Sequence, residues 1–144
     1  AEMIGRILPG WDINASYTYN DNVILKDSTA SLEGQSYASN SPRHLFKLWS
    51  HYRFAAPEQT RNVWSVGGGL TAQSSTFGTT RTVRLGAYVV ANAQIGYQFN
   101  PRLDVAVNIN NISNTRYYQR LGNIYYYNYY AEPRNFMATL RSTF

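Results

Sequence analysis

The 144 residues carry a formal net charge of +5, no cysteine and 44% hydrophobic residues, at a slightly negative mean hydropathy. That length suits one domain; the missing thiols exclude disulfide frameworks and thiolate metal sites, and no apolar run approaches the ~18 residues of a membrane helix. The 13 Lys+Arg are scattered rather than gathered into a stripe, which argues against nucleic acid, whereas a transmembrane barrel, whose strands alternate apolar and polar residues, fits a low mean hydropathy.

In chain order, Ala1 to Leu8 reads as a less regular strand that ends at the turn Pro9-Gly10-Trp11. From Trp11, the residues Trp11, Ile13, Ala15, Tyr17 and Tyr19 alternate with Asp12, Asn14, Ser16 and Thr18. From His44, one face carries Phe46, Leu48, Tyr52 and Phe54, and the other Lys47, Trp49, His51 and Arg53. Trp64, Val66, Gly68, Leu70 and Ala72 oppose Ser65, Gly67, Gly69, Thr71 and Gln73. Next, Val89, Ala91, Ala93, Ile95, Tyr97 and Phe99 oppose Asn92, Gln94 and Gln98, and Leu103, Val105, Val107 and Ile109 oppose Asp104, Asn108 and Asn110. Last, Phe136, Ala138, Leu140 and Phe144 oppose Asn135, Thr139, Arg141 and Thr143. Period two of this kind predicts about seven half-buried strands.

The connections alternate as well. Pro9 to Trp11, Ala55 to Asn62 and Asn100 to Arg102 are short, while Asp21 to Ser41, Ser74 to Leu85 and Asn114 to Pro133 are long and polar. Outer-membrane barrels have short turns at one end and long loops at the other; a soluble sandwich has no reason to lengthen every second connection. The polar face is too hydrophilic for the inside of a small packed barrel, and aromatic residues near the strand ends suit the two interfaces of a bilayer. The predicted fold is therefore all-β, an antiparallel up-and-down transmembrane β-barrel segment. An odd strand count does not close a bacterial barrel with both termini on one side. Together with a first residue that is not Met and no signal peptide, this leads to the expectation of a C-terminal third or so of a larger barrel.

Several stretches resemble one family, the TonB-dependent outer-membrane receptors, in their ferric-siderophore branch. "PGW" followed by "INASYTYN" resembles the family's periplasmic turn and following strand, and "SPRHLFKLWSHYRF" its strand opening on Pro-Arg-His. "SVGGGL" is similar to its glycine-bearing strand, "YVVANAQIGYQFNPRLDVAVNINNISNTRYY" to its penultimate hairpin, and "EPRNFMATLRSTF" to its closing strand. The ordered set covers nearly the whole chain; the departures lie in the loops and in "NNISNTRYY", where the residue after Ile112 is more often aromatic. The resemblance implies a barrel of about 22 strands, with residues 1–144 as its C-terminal part. It also implies an N-terminal plug domain and a TonB-contacting motif, both absent from these residues. The partners it implies are a ferric siderophore, the TonB complex through the missing N-terminal region, the barrel-assembly machinery and outer-membrane lipid, with no nucleic acid. Iron would arrive chelated, as substrate, so no cofactor is expected. Phe136, Leu140 and Phe144 look like the terminal pattern that the assembly machinery reads, though the same residues facing lipid need no recognition.

The tyrosine-rich stretch before the closing strand holds the ligand-binding candidates Tyr125, Tyr126, Tyr127, Tyr129 and Tyr130, because phenol rings stack on and hydrogen-bond a flat polar chelate. Arg116 and Arg120 lie close in sequence and can meet an anionic ligand; Arg81 and Arg84, in the preceding long loop, have the same possible use. The alternative is loops that pack on themselves or meet the membrane surface. Lys47, His51, Arg53, Asp104 and Arg141 are expected in the lumen, paired with one another or with the plug. His44 and His51 face opposite sides of one strand, so they build no metal site. Ser50 and His51, as strand neighbours, point apart and build no nucleophilic pair, so no enzyme is expected. Other readings are a soluble carbohydrate-binding sheet with exposed aromatic residues and a small outer-membrane barrel of different function.

Overall fold

The computed structural model describes residues 1–54, 63–78 and 81–144. The connection read as Ala55 to Asn62 thus lies outside the described residues, as do two positions of the loop between Ser74 and Leu85. The strands, in chain order, are β1 (Glu2–Leu8), β2 (Trp11–Tyr19), β3 (His44–Arg53), β4 (Val63–Gln73), β5 (Thr76–Phe77) and β6 (Arg84–Leu85). They continue with β7 (Tyr88–Asn100), β8 (Leu103–Asn110), β9 (Tyr118–Arg120), β10 (Tyr129–Tyr130) and β11 (Asn135–Ser142). Seven form one antiparallel meander in the order β1-β2-β3-β4-β7-β8-β11, and the other four make two small hairpins, β5–β6 and β9–β10, inside the long connections. A single 3-10 turn, Ala30–Leu32, lies in the loop between β2 and β3. The seven strands are those the alternation predicts. The hairpins are additions, since two or three paired residues carry no readable period.

Register converts alternation into two faces. One row across β2, β3, β4, β7, β8 and β11 is Trp11, Tyr52, Val66, Ile95, Val107 and Ala138; the neighbouring row on the opposite face is Asp12, His51, Gly67, Gln94, Asn108 and Met137. Met137 is the one apolar intruder in that polar row. A one-residue slip would exchange the faces, so the pattern pins the pairing.

The sheet has no second layer. Among the described residues only Val90 and Leu121 are buried hydrophobics, while Ile4, Trp64, Val89, Ile95, Phe136 and Leu140 are all at least half exposed. An apolar face this extensive is not stable in water; it requires a hydrocarbon solvent. The aromatic residues gather toward the short-turn end of that face. Trp64 meets Tyr97 at 4.5 Å, Tyr97 meets Phe99 edge-on at 4.7 Å, and Tyr52 meets Phe54 edge-on at 5.0 Å. At the other end Tyr17 and Tyr19 flank His44, whose Nδ1 lies 2.8 Å from the Tyr17 hydroxyl.

Three glycines are dictated by space. Gly10 closes the first turn at φ 82, and a Cβ there would lie 2.5 Å from the Arg53 carbonyl oxygen. On β4, the Trp49 ring lies against Gly67 and Gly69, so that a Cβ on Gly67 would come within 2.9 Å of the ring and one on Gly69 within 2.6 Å. The glycine run of β4 is therefore a seat for an indole on the polar face.

Candidate functional site

The long connections converge at one end of the sheet and are stitched to each other through the backbone. Phe77 N–H donates to the Ser39 carbonyl at 2.8 Å, and Ser39 Oγ donates to the Gly78 carbonyl at 3.1 Å. The Arg81 guanidinium caps the carbonyls of Ser36 at 2.9 Å and Tyr37 at 3.5 Å. Gly78 in turn sits on Gly122, where a Cβ would lie 2.5 Å from the Gly122 carbonyl oxygen. The three loops thus form one layer. Arg43, at the base of the first, binds Asp21 at 2.6 Å; that hydrogen bond and the carboxylate charge raise the guanidinium pKa further.

The tyrosine loop is tied at its root by a residue that sequence reasoning passes over. Asn111 is 3% exposed and adopts φ 52, a conformation asparagine tolerates better than most side chains. Its Nδ2 donates to the carbonyls of Thr115 at 2.9 Å and Glu132 at 3.1 Å, and its Oδ1 accepts from Thr115 N–H at 2.8 Å. Its own N–H donates to Asn92 Oδ1 at 2.9 Å. Its side chain joins the two ends of the loop, and its main-chain N–H ties them to β7. The only sequence signal is the doublet Asn110-Asn111, which reads as an ordinary strand end.

Beyond that root the chain forms the β9–β10 hairpin, whose tip is knit by asparagines. Asn123 Oδ1 accepts from the N–H groups of Tyr125 at 2.8 Å and Tyr126 at 3.0 Å, and Asn128 Nδ2 donates to the Asn123 carbonyl at 2.7 Å. With the backbone satisfied this way, the rings point out, and Tyr125 is 85% exposed. The candidate tyrosines do not form one cluster. Tyr126 and Tyr127 meet edge-on at 5.0 Å, and Tyr130 stacks on Tyr118 at 4.2 Å, whose hydroxyl donates to the Tyr130 hydroxyl at 2.7 Å. That hydrogen bond, ahead of burial and the Tyr130 charge, raises the Tyr118 pKa. Tyr129 lies across from Arg120 in the hairpin.

Among the described residues Arg116 and Arg120 are exposed, and no hydrogen bond or ion pair engages either guanidinium. Arg81 and Arg84 are engaged within the loop layer, Arg84 through Ser75 Oγ at 3.0 Å. Phe136, Leu140 and Phe144 are exposed on the closing strand or just past it. The expected pairing among Lys47, His51, Arg53, Asp104 and Arg141 is not formed. The ion pairs among the described residues are Arg6–Asp12 and Arg43–Asp21, although Arg141 stands opposite Asp104 in register. The polar face is instead bonded through amides, Gln94 Nε2 to Asn108 Oδ1 at 2.9 Å and Asn110 Nδ2 to Asn135 Oδ1 at 2.8 Å. Ser50 Oγ accepts the Trp11 indole N–H at 2.8 Å on the apolar face, away from His51.

A single-layer meander with one face for hydrocarbon, one polar face and long loops at one end is a piece of barrel wall. The family described as TonB dependent receptor-like, beta-barrel matches residues 1–112. This chain belongs to that family. Its strands therefore form part of an integral outer-membrane β-barrel, not closed within these residues, with the apolar face toward lipid and the polar face toward the lumen. The family assignment replaces the soluble carbohydrate-binding reading.

Among curated proteins, the ferric-pyoverdine receptor PbuA of Pseudomonas sp. is 32% identical over 100% of this chain and 18% of its own length. The catecholate siderophore receptor Fiu of Escherichia coli is 31% identical over 97% of this chain and 18% of its own length. Among solved structures, the ferripyoverdine receptor of the outer membrane of Pseudomonas aeruginosa, bound to ferripyoverdine, superimposes with a TM-score of 0.77 at 27% identity, over 98% of this chain and 18% of that one. The chain thus spans about 18% of the length of these relatives, which are transport receptors and not enzymes.

Proposed function

We propose that this chain is the C-terminal wall and mouth of a TonB-dependent receptor that takes up a ferric siderophore. The observation that carries the reading is the likeness, along essentially the whole chain, to receptors named for ferric pyoverdine and for catecholate siderophores. The chelate binds among the loops, with Tyr125, Tyr126, Tyr127, Tyr129 and Tyr130 offering rings and hydroxyls, and Arg116 and Arg120 offering charge to an anionic ligand. Arg81 and Arg84 act at one remove, by fixing the loop layer. Energy reaches the receptor through a TonB contact outside this segment, and the lumen wall supplies a sealed polar boundary for the plug and the passing cargo. Phe136, Leu140 and Phe144 present the terminal pattern to the assembly machinery.

The test is iron-limited growth of a strain lacking the full receptor, complemented or not, on ferripyoverdine, ferrioxamine B and ferric enterobactin as sole iron sources. The reading predicts that complementation restores growth on at least one chelate and that loss of TonB abolishes it. Restored growth on none, or growth that persists without TonB, contradicts it.

A further inference from the structure

Directly beneath the tyrosine loop, on the lumen face, lies an open cavity of about 300 Å³, near the lower end of the range for small-molecule sites. Its floor is strand amides, Asn92, Asn110 and Asn135, and its roof is the returning loop with Glu132. One wall is the pair Tyr88 and Tyr117, stacked at 4.0 Å with 30° between planes. Glu132 Oε2 accepts from Asn135 Nδ2 at 2.9 Å, which orients the carboxylate on the amide floor. Its negative charge is felt by the neighbouring wall: burial first, then Glu132, raises the pKa of the Tyr117 hydroxyl.

The chemistry of this lining is selective. Every polar side chain among the described lining residues is an amide, a hydroxyl or a carboxylate, and none of those residues is Lys, Arg or His. Asparagine side chains both donate and accept, as a peptide group does. A ligand part with uncompensated negative charge would lose hydration there, meet a carboxylate and gain no cation from these described residues. An amide-bearing chain with an ammonium or hydroxyl group would exchange its water for matched partners, and a charge-assisted bond to a carboxylate is among the stronger ones.

Resting on the siderophore-receptor reading above, we propose that this cavity seats a neutral or cationic, amide-bearing arm of the chelate, with Glu132 as its specificity-determining residue, and does not receive the anionic iron-binding groups. The substrate class is accordingly a hydroxamate or mixed chelate built on a peptide-like backbone, in preference to a compact tris-catecholate.

The experiment uses the full-length receptor, titrated by tryptophan fluorescence with ferripyoverdine, ferrioxamine B (amide links and a free ammonium) and ferric enterobactin (a tris-catecholate with net negative charge). The proposal predicts that ferripyoverdine or ferrioxamine B, which carry a neutral or cationic arm outside the iron-binding groups, binds more tightly than ferric enterobactin, and that this binding is weakened about tenfold or more by Glu132→Gln and by Asn110→Ala. In the same variants any residual binding of ferric enterobactin stays unchanged or tightens. Circular dichroism and heat-modified gel mobility check that each variant is folded. Equal weakening of all probes by Glu132→Gln, or no weakening of any, overturns the proposal while the receptor reading stands. Preference for ferric enterobactin does the same. Binding of no probe overturns the receptor reading itself, and this proposal with it.

Discussion

Asn111 concentrates more of the loop architecture than any of the tyrosines that the composition makes conspicuous. It satisfies groups on Thr115, Glu132 and Asn92 while almost completely buried. Asn111→Ala would leave the Thr115 and Glu132 groups without a substitute, keep the main-chain bond to Asn92, and put a less tolerant residue at positive φ. Losing such a buried polar hub costs about 1–3 kcal/mol. The expected outcome is a receptor whose strands are intact by circular dichroism but whose segment 114–133 is cleaved by protease at a concentration that spares the native protein. Equal protease resistance would show that the loop is held elsewhere. Such a role was not legible in the sequence, because it depends on which backbone groups return to the strand end. The faces of the strands were legible, because alternation reports them directly: His44 and His51 do stand on opposite sides, with Tyr17 and Gly67 as their respective neighbours.

The phenols of the β9–β10 hairpin carry a pH dependence. The hydrogen bond from Tyr118 to Tyr130 raises the Tyr118 pKa above its ordinary value near 10, so the folded hairpin holds its proton longer than the open one. The associated stability is present in full below the ordinary phenol pKa and is lost as pH rises through the raised value. The protection of the hairpin amides in the full receptor, that is, their exchange relative to the intrinsic rate at each pH, is therefore expected to fall only above about pH 10, and Tyr118→Phe should remove most of that fall. A hairpin that loosens at neutral pH would contradict it.

Between elements, glycine makes room for the side chain of a neighbouring strand. On β4 the seat for Trp49 tolerates no side chain, since a Cβ on Gly69 would meet both the ring and the Leu48 carbonyl. Gly69→Val should cost about 1–3 kcal/mol through overpacking, seen as a lower temperature for the mobility shift of the barrel on gels. Trp49→Ala combined with it should recover part of the loss. The motif itself was visible in the sequence as "SVGGGL"; what the glycines make room for was not, because Trp49 lies on the neighbouring strand. The hairpins β5–β6 and β9–β10 were likewise invisible. Their strands are too short for a period, and their pairing follows from tertiary contacts such as Gly78 on Gly122. For the tyrosines, substitution of Tyr125, Tyr126, Tyr127, Tyr129 and Tyr130 by alanine in the full receptor should weaken chelate binding at least about tenfold, equivalent to 1.4 kcal/mol. Unchanged affinity would return the hairpin to a structural role. Given their dispersal over tip and strand, binding through these tyrosines would be a multi-point contact.

At the scale of the whole molecule, the alternation of short and long connections was the most informative sequence signal, because it separates the two ends of a membrane-spanning sheet before any contact is known. The seven-stranded meander, its order and its two faces follow that signal. The lumen chemistry did not: of the pairing expected with one another or with the plug, none forms among Lys47, His51, Arg53, Asp104 and Arg141 themselves, and amides bond across the face instead, since alternation places polar residues on a face without saying which ones reach each other. The closing strand carries a prediction at this scale. Removal of Phe144 should reduce the amount of full receptor assembled in the outer membrane, measured as the folded fraction on unheated gels; undiminished assembly would leave Phe136, Leu140 and Phe144 as lipid-facing residues alone.

The central claim is that these strands cross the outer membrane with the tyrosine loop outside and the short turns inside. Because the segment has no cysteine of its own, single substitutions report its topology cleanly. In intact cells expressing the full receptor, otherwise free of reactive cysteines, Tyr125→Cys and Arg102→Cys are treated with a membrane-impermeant maleimide. The account predicts labelling of the first at once and of the second only after the outer membrane is permeabilised. Labelling of both in intact cells, or of the turn position alone, would contradict it.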